Sequence, residues 1–281
     1  MLNLDAQRVG PPPRDASTMI VLREGPVELE VFFVRRSKQS SFLGGALVFP
    51  GGKVEESDFD GTWAGLCSAL QGRTTSFGES ARALAIAACR ELLEEGALLP
   101  SSPPLDGPSS LELAARVRAG SALLDEVQRL NLRLDLSAVL PFGRWVTPEA
   151  EARRFDARFF LWLSPSASGG LHDGRETTQS FWARPSEVLE RAESGEFFLA
   201  PPTSRCLELL SGVRDFRGAR ALAEEQSLEP ICPVWMPPAS GAPGYLALPG
   251  DPSHPIRQPL IAGASRYVQR GERFCAEGAD P

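Results

Sequence analysis

The segment Glu79–Glu95 constrains the fold of this chain more than any other. Its apolar residues Leu84, Ala87, Ala88, Leu92 and Leu93 recur at helical spacing, and Gly96 supplies a stop. Ser76 and Glu79 stand at the spacing of a capping box. Glu91, Glu94 and Glu95 occupy i, i+3 and i+4, so three carboxylates share one face of the predicted helix. On an exposed helix such like-charge pairs cost only about 0.2–0.5 kcal/mol, so the spacing alone suits a solvated face equally well. The apolar stripe, however, must be buried against another layer.

What lies upstream changes the reading. Phe49-Pro50-Gly51-Gly52-Lys53-Val54-Glu55 reads as a strand ending in a glycine loop. Hard divalent cations take clustered carboxylate oxygens and keep positions open for water and substrate phosphates. Glycines let backbone approach such a centre closely and offer carbonyl oxygens to it. Strands are also predicted at Thr18–Arg23 and Glu28–Arg35, around a Glu24-Gly25-Pro26 turn, and at Ala46–Phe49. Beyond the helix, SSPPLDGPSS at 101–110 is a turn region and Leu111–Leu130 reads as one amphipathic helix. Further strands are predicted at Ala138–Val146, Arg158–Leu163 and Thr177–Trp182, with helices at Pro185–Glu193 and Thr203–Leu210. Strands and helices in no strict alternation predict an α/β fold with a mixed sheet covered on both faces. Polar, Pro-rich residues 1–17 read as a flexible lead-in and 18–229 as one domain. Residues 230–281, rich in Pro and Gly, read as an extension packed on it.

Composition removes several function classes. A net charge of −7 over 281 residues disfavours non-specific nucleic-acid binding. No apolar run approaches the ~20 residues of a membrane-spanning helix, and the start shows no basic region followed by an apolar one. Five scattered cysteines without a C-x-x-C pair, beside only His172 and His254, argue against zinc and for reduced thiols. The expectation is a cytoplasmic protein with a small-molecule substrate, with a homodimer allowed and no nucleic-acid or membrane partner.

Together the two motifs resemble those of the Nudix hydrolases. That family's signature runs Gly, five residues, Glu, seven residues, then Arg-Glu, an aliphatic, any residue, Glu-Glu, any residue, Gly and an aliphatic. Gly52 matches the first Gly, and Arg90-Glu91-Leu92-Leu93-Glu94-Glu95 matches the second half without a gap. The first-half Glu falls on Asp58 and the final Gly on Ala97, with Gly96 one residue early. Between Asp58 and Arg90 stand 31 residues, 59 to 89, where seven are usual. A box split this way is similar to that of the subfamily whose animal members are peroxisomal coenzyme A diphosphatases. Ser41-Phe42-Leu43, Arg153-Arg154-Phe155-Asp156-Ala157-Arg158-Phe159-Phe160, Glu176-Thr177-Thr178 and Pro201-Pro202-Thr203 also resemble it.

The resemblance implies an α/β/α sandwich with an insertion at 59–78 and a Pro-rich C-terminal extension. It implies Mg²⁺- or Mn²⁺-dependent hydrolysis of a pyrophosphate bond in a nucleoside diphosphate derivative. Coenzyme A or an acyl-CoA is the leading substrate. ADP-ribose or a nucleotide sugar is the first alternative, and a catalytically silent nucleotide sensor the second. It makes Glu91, Glu94, Glu95 and a Gly51 or Gly52 carbonyl the metal ligands, with Arg90 holding a helix carboxylate. Glu91 is the favoured base and Glu176, on the loop with His172 and Asp173, its rival. Glu55, Glu56 and Asp58 are acids beside the site. Arg35, Arg36 and Lys38, Gly52, and Arg154 within the cluster of Arg153, Arg154 and Arg158 are candidates for substrate phosphates. Trp145, Phe155 and Trp162 suit the core better than a stacking platform. The insertion leaves from the glycine loop and returns into the helix, and is expected to line the substrate cleft.

Overall fold

In β1 (Arg14–Glu24) the run Met19-Ile20-Val21-Leu22 is fully buried. A strand without an exposed face belongs inside a sheet covered on both sides. A computed structural model, which describes residues 2–40, 43–73, 77–164, 170–172, 174 and 176–278, puts it there. Ser41, Phe42, Ser76 and Asp173 lie outside the described residues. β1 pairs in parallel with β8 (Phe155–Leu163), from Arg14↔Phe155 to Leu22↔Leu163. On its other side it pairs antiparallel first with β4 (Gly51–Lys53) and then with β2 (Leu29–Arg36). β2 also pairs with β3 (Leu47–Val48) and β9 (Thr177–Ala183), and β7 (Val139–Val146) runs antiparallel to β8. The sheet is mixed, as expected, and a separate two-stranded ribbon pairs β5 (Ser101–Ser102) with β6 (Arg133–Leu134).

Alternation along β1 divides the core. Met19 and Val21 join Phe32 and Val34 of β2 beneath α2 (Ala81–Gly96). Ile20 and Leu22 join Phe33 and Leu161 on the opposite face, under α5 (Pro185–Glu193), α6 (Pro201–Leu210) and α7 (Phe216–Glu225). α2 is buried almost all round, and its alanines bring it close to the sheet. Gly96 ends it inside that contact, where a Cβ would stand 2.7 Å from the Phe32 ring. The left-handed cap falls instead on Ala97, with φ +51°, whose N–H donates to the Leu93 carbonyl.

Three sequence expectations need correction. Leu111–Leu130 is two helices, α3 (Gly107–Arg118) and α4 (Leu123–Arg129), because Gly120 turns the chain at φ +104°. The lead-in is docked: β1 begins at Arg14, Leu4 bridges to Glu151, and the Asn3 N–H donates to the Glu151 carboxylate at 2.6 Å. Among its described residues the insertion does not line the cavity beside α2. Beyond a 3₁₀ turn at Glu56–Phe59 it forms α1 (Trp63–Leu66), and Trp63, Cys67 and Phe77 are buried in the core beneath α2. Among the described residues no helix is long and apolar enough to cross a membrane.

The C-terminal extension is a four-stranded antiparallel sheet of β10 (Val234–Met236), β11 (Tyr245–Ala247), β12 (Arg266–Arg270) and β13 (Arg273–Glu277). It is locked to α6 by Arg205, whose side chain has no exposed surface. Its guanidinium donates to the Tyr267 hydroxyl at 3.1 Å, to the Ala264 carbonyl at 2.6 Å and to the Ala262 carbonyl, and pairs with Glu208 at 2.8 Å. Removing one partner of a buried charged network costs about 3–5 kcal/mol. Arg205→Met is therefore expected to lower the free energy of unfolding by about 3 kcal/mol or more in urea. A loss below 1 kcal/mol would show that the extension is held elsewhere.

Candidate active site

The helix α2 packs on β1 and β4 of the sheet, and Glu91 and Glu95 lie against the glycines of β4. Between α2 and β4 stands Arg90. Its guanidinium donates to both Asp58 oxygens at 3.2 and 3.1 Å, to the Lys53 carbonyl at 2.8 Å, to Glu91 at 2.9 Å and to Glu94 at 3.2 Å. Asp58 is buried at 3 % exposure and also accepts the Glu55 N–H at 2.8 Å. The first-half acid is thus a partner of Arg90 and lines no part of the cavity described next.

A cavity of about 600 Å³ opens beside this network. Its charged side is formed by Glu91 and Glu94, with Glu55, Glu176, Lys53 and Arg36. Glu95 is buried behind them, accepting the Gly51 N–H at 3.1 Å and lying 3.9 Å from the Arg36 guanidinium. At Gly52 a Cβ would fall 2.5 Å from the Glu91 carboxylate, so only glycine lets this acid lie against the strand. Arg36 lines the cavity and its Nε is buried without a hydrogen-bond partner.

Electrostatics follow from burial. Desolvation pushes the Glu91 carboxyl up to about 7, although Arg90 opposes the shift; the charge of Glu94 adds to it. Desolvation and then the charge of Glu91 push Glu95 up to about 8, against Arg36 and the Gly51 N–H. Glu94 is raised by burial too, with Arg90 the main opposing influence. Such folded-state values above the unfolded one mean that, without a counter-cation, these groups destabilise the fold as pH rises from about 4.5 toward 8. As the side chains stand, Glu91 and Glu94 turn to Arg90 and Glu95 to Gly51. Among the described residues no three acidic, imidazole or thiol groups converge on one point. The donor set nevertheless fits a hard divalent cation: Glu55, Glu91, Glu94 and Glu176 bring carboxylate oxygens to one cavity, Arg90 is committed to its own carboxylate partners, and the glycine strand leaves room beside them.

Not every predicted residue reaches this site. Arg36 shares the face of Phe32 and Val34 beneath α2, whereas Arg35 points the other way, over the Phe197 ring at 5.7 Å. Lys38 does not line the cavity, and Arg154 is occupied by the Thr147 carbonyl at 3.0 Å and the Pro11 carbonyl at 3.1 Å. Its neighbour Arg153 lines the cavity instead. Phe155, Ala157 and Phe159 of β8 line the cavity at alternate positions, and Arg153, in the bend two residues before the strand, lines it with them. Lys53 and Thr18 were missed; the antiparallel pairing Thr18↔Gly51 brings them in, and no local motif marks it. Trp145 and Phe155 line the cavity, while Trp162 packs on the other face of the sheet. His172 receives no place in the cavity; its N–H donates to Ser180 Oγ at 3.0 Å.

The arrangement has relatives. Residues 76–209 match the family model of the NUDT19 Nudix domain. The acyl-coenzyme A diphosphatase NUDT19 of Gallus gallus is 30% identical over 300 residues, covering 89% of this chain and 79% of that protein. The protein of the same name from Xenopus laevis is 27% identical, over 88% and 80% of the two chains. Among solved structures, a Nudix hydrolase from Alicyclobacillus acidocaldarius superposes with a TM-score of 0.64 at 29% identity, covering 74% of this chain and 96% of its own. A likeness of that extent, in a fold that sets a glycine strand against an acidic helix, makes this chain a member of the Nudix hydrolase family and a pyrophosphohydrolase.

Proposed function

We propose that the protein hydrolyses the diphosphate bond of coenzyme A or an acyl-CoA, releasing 3′,5′-ADP and (acyl)phosphopantetheine. The observation that carries this reading is one cavity with a charged side at Glu91, Glu94 and Arg36 and an apolar side at Trp145, Phe155 and Leu246. A substrate with an anionic centre and an uncharged arm matches both. The names of the vertebrate relatives point the same way.

Glu91, Glu94 and Glu95, with the Gly51 backbone beside them, are the residues that would hold Mg²⁺ or Mn²⁺. When bound, such an ion polarises the phosphoryl oxygens and lowers the pKa of the attacking water. The chain's own groups divide the remaining work. Arg36, which lines the cavity beside Glu91 and Glu94, takes a phosphate oxygen in a charge-assisted hydrogen bond. Arg90 is committed to its carboxylates and positions Glu91 rather than touching substrate. Glu91, held on a rigid helix at the cavity wall, accepts a proton from the attacking water. Glu176 lines the same cavity from the loop before β9 and is the rival base.

A panel of CoA, acyl-CoA, ADP-ribose and a nucleotide sugar, with products identified by mass spectrometry, tests the substrate. Turnover of ADP-ribose with none of CoA or its thioesters would refute the reading. Glu94→Gln and Glu95→Gln are each expected to abolish hydrolysis while the melting temperature stays near wild type. Retained turnover in saturating Mg²⁺ would overturn the ligand set. For the base, Glu91→Gln should lower kcat by at least about 10²-fold, whereas Glu176→Gln keeps most activity. The reverse ranking, at equal metal occupancy, would move the base to the loop. Gly52→Ala probes geometry alone. The new methyl displaces the Glu91 carboxylate, a flexible side-chain end, so the fold should survive. A shift of about 1 Å at such a group can cost about 10² in rate, and assay beside thermal unfolding separates the two effects.

A further inference from the structure

The apolar side of the cavity is a built chamber. On β8, Phe155, Ala157 and Phe159 face it; Ala157 lies opposite Ala16 of β1, so two small residues leave a trough between two rings. Trp145 forms one wall, and Pro233 and Leu246 of the C-terminal extension form another. Both extension residues lie beyond the segment matched by the family model, which ends at 209. They are firmly held. His254 Nε2 lies 3.1 Å from the carbonyl of Cys232, the residue before Pro233. Asp251, fully buried, accepts from Arg266 at 2.8 and 3.1 Å and from Ser265 at 3.0 Å, and Arg205 ties the same sheet to α6.

The chamber's chemistry selects its occupant. Among the described lining residues there is no Asn, Gln or Asp, and the carboxylates, Glu55, Glu91, Glu94 and Glu176, belong to the charged side, so the apolar side has no amide or carboxylate to read a nucleobase edge. Apolar walls with few directional groups suit a hydrocarbon chain. We infer that the C-terminal extension and β8 form the subsite for the substrate's acyl chain, with Ala157 and Leu246 setting the chain length accepted. This rests on the coenzyme A reading and assigns an arm of that substrate to residues outside the acidic motif.

The test is kcat/KM for CoA and its acetyl, hexanoyl, decanoyl and palmitoyl thioesters, with wild type, Ala157→Val and Ala157→Leu. Burying a methylene yields about fourfold in binding. Wild-type kcat/KM is therefore expected to climb with chain length and then level off once the chamber is full. Filling the trough should reduce the decanoyl-to-CoA ratio at least tenfold in Ala157→Leu and less in Ala157→Val, with thermal unfolding run on each. If Ala157→Leu does not fold, the wild-type series and Ala157→Val decide. A flat wild-type series with good CoA turnover overturns the subsite and leaves the coenzyme A reading intact. So does an equal loss on CoA and decanoyl-CoA. No turnover of any CoA species by wild type, with ADP-ribose cleaved, removes both.

Discussion

Arg90 is the contact on which the rest of the site depends. A guanidinium taken out of water costs several kcal/mol unless every donor finds an acceptor. Here it is met by Asp58, the Lys53 carbonyl, Glu91 and Glu94. Those acceptors belong to three segments: the glycine strand, the turn after it and the helix. One side chain therefore fixes their mutual placement. A lysine could not do this, because only the planar fork reaches both Asp58 oxygens while keeping donors for the helix acids. The arrangement also explains why an Asp suffices at position 58. Its short reach is enough for a partner that comes to it.

Because Asp58 and Arg90 meet through space, the chain between them is free to lengthen. Going from seven residues to 31 is about two doublings of loop length, which cost roughly 1.3 kcal/mol in closure entropy. The insertion offsets this by burying Trp63 and Phe77 beneath α2, worth about 1.5–3 kcal/mol per large side chain. Arg73 also donates to the Gln226 carbonyl at 3.1 Å. An element that leaves and re-enters the catalytic motif has thus become part of the core on the helix side, away from the cavity.

The sequence shows the parts of this protein whose rule is local. The apolar period of α2, the alternation in β1 and β2, the Pro at the start of α5 and the glycine strand can each be read from consecutive residues. Where one residue decides, the reading slips. Gly120 splits one predicted helix in two, and α7 escapes notice although Asp215 caps it and Ala219, Leu222 and Ala223 keep its period. The basic residues fail for a different reason. Arg35 and Arg36 are equal as neighbours in sequence, but strand parity sends one to Phe197 and the other to the cavity. Counting in twos from Phe32 and Val34 makes that choice; counting charges does not. The contribution of residues 233 and 246 needs the tertiary fold, since nothing in a Pro-rich stretch announces which sheet it will cover.

The two sides of the cavity come from opposite faces of the central sheet. Glu91 and Arg36 belong to the face under α2, while Phe159, Trp145 and Leu246 belong to the core on the other. Normally a sheet keeps such environments apart. Here the divider between them is β4, a three-residue strand beside β1 that consists of two glycines and Lys53. With no side chain at Gly51 or Gly52, carboxylates approach the backbone from one side and the cavity continues past it on the other. Any Cβ at Gly51 would meet the Ser17 carbonyl at 2.6 Å, and one at Gly52 the Glu91 carboxylate. The glycines therefore do more than tighten a turn. They let a desolvated acidic centre and an apolar chamber share one continuous space, so a single substrate can place a diphosphate in the first and an uncharged arm in the second.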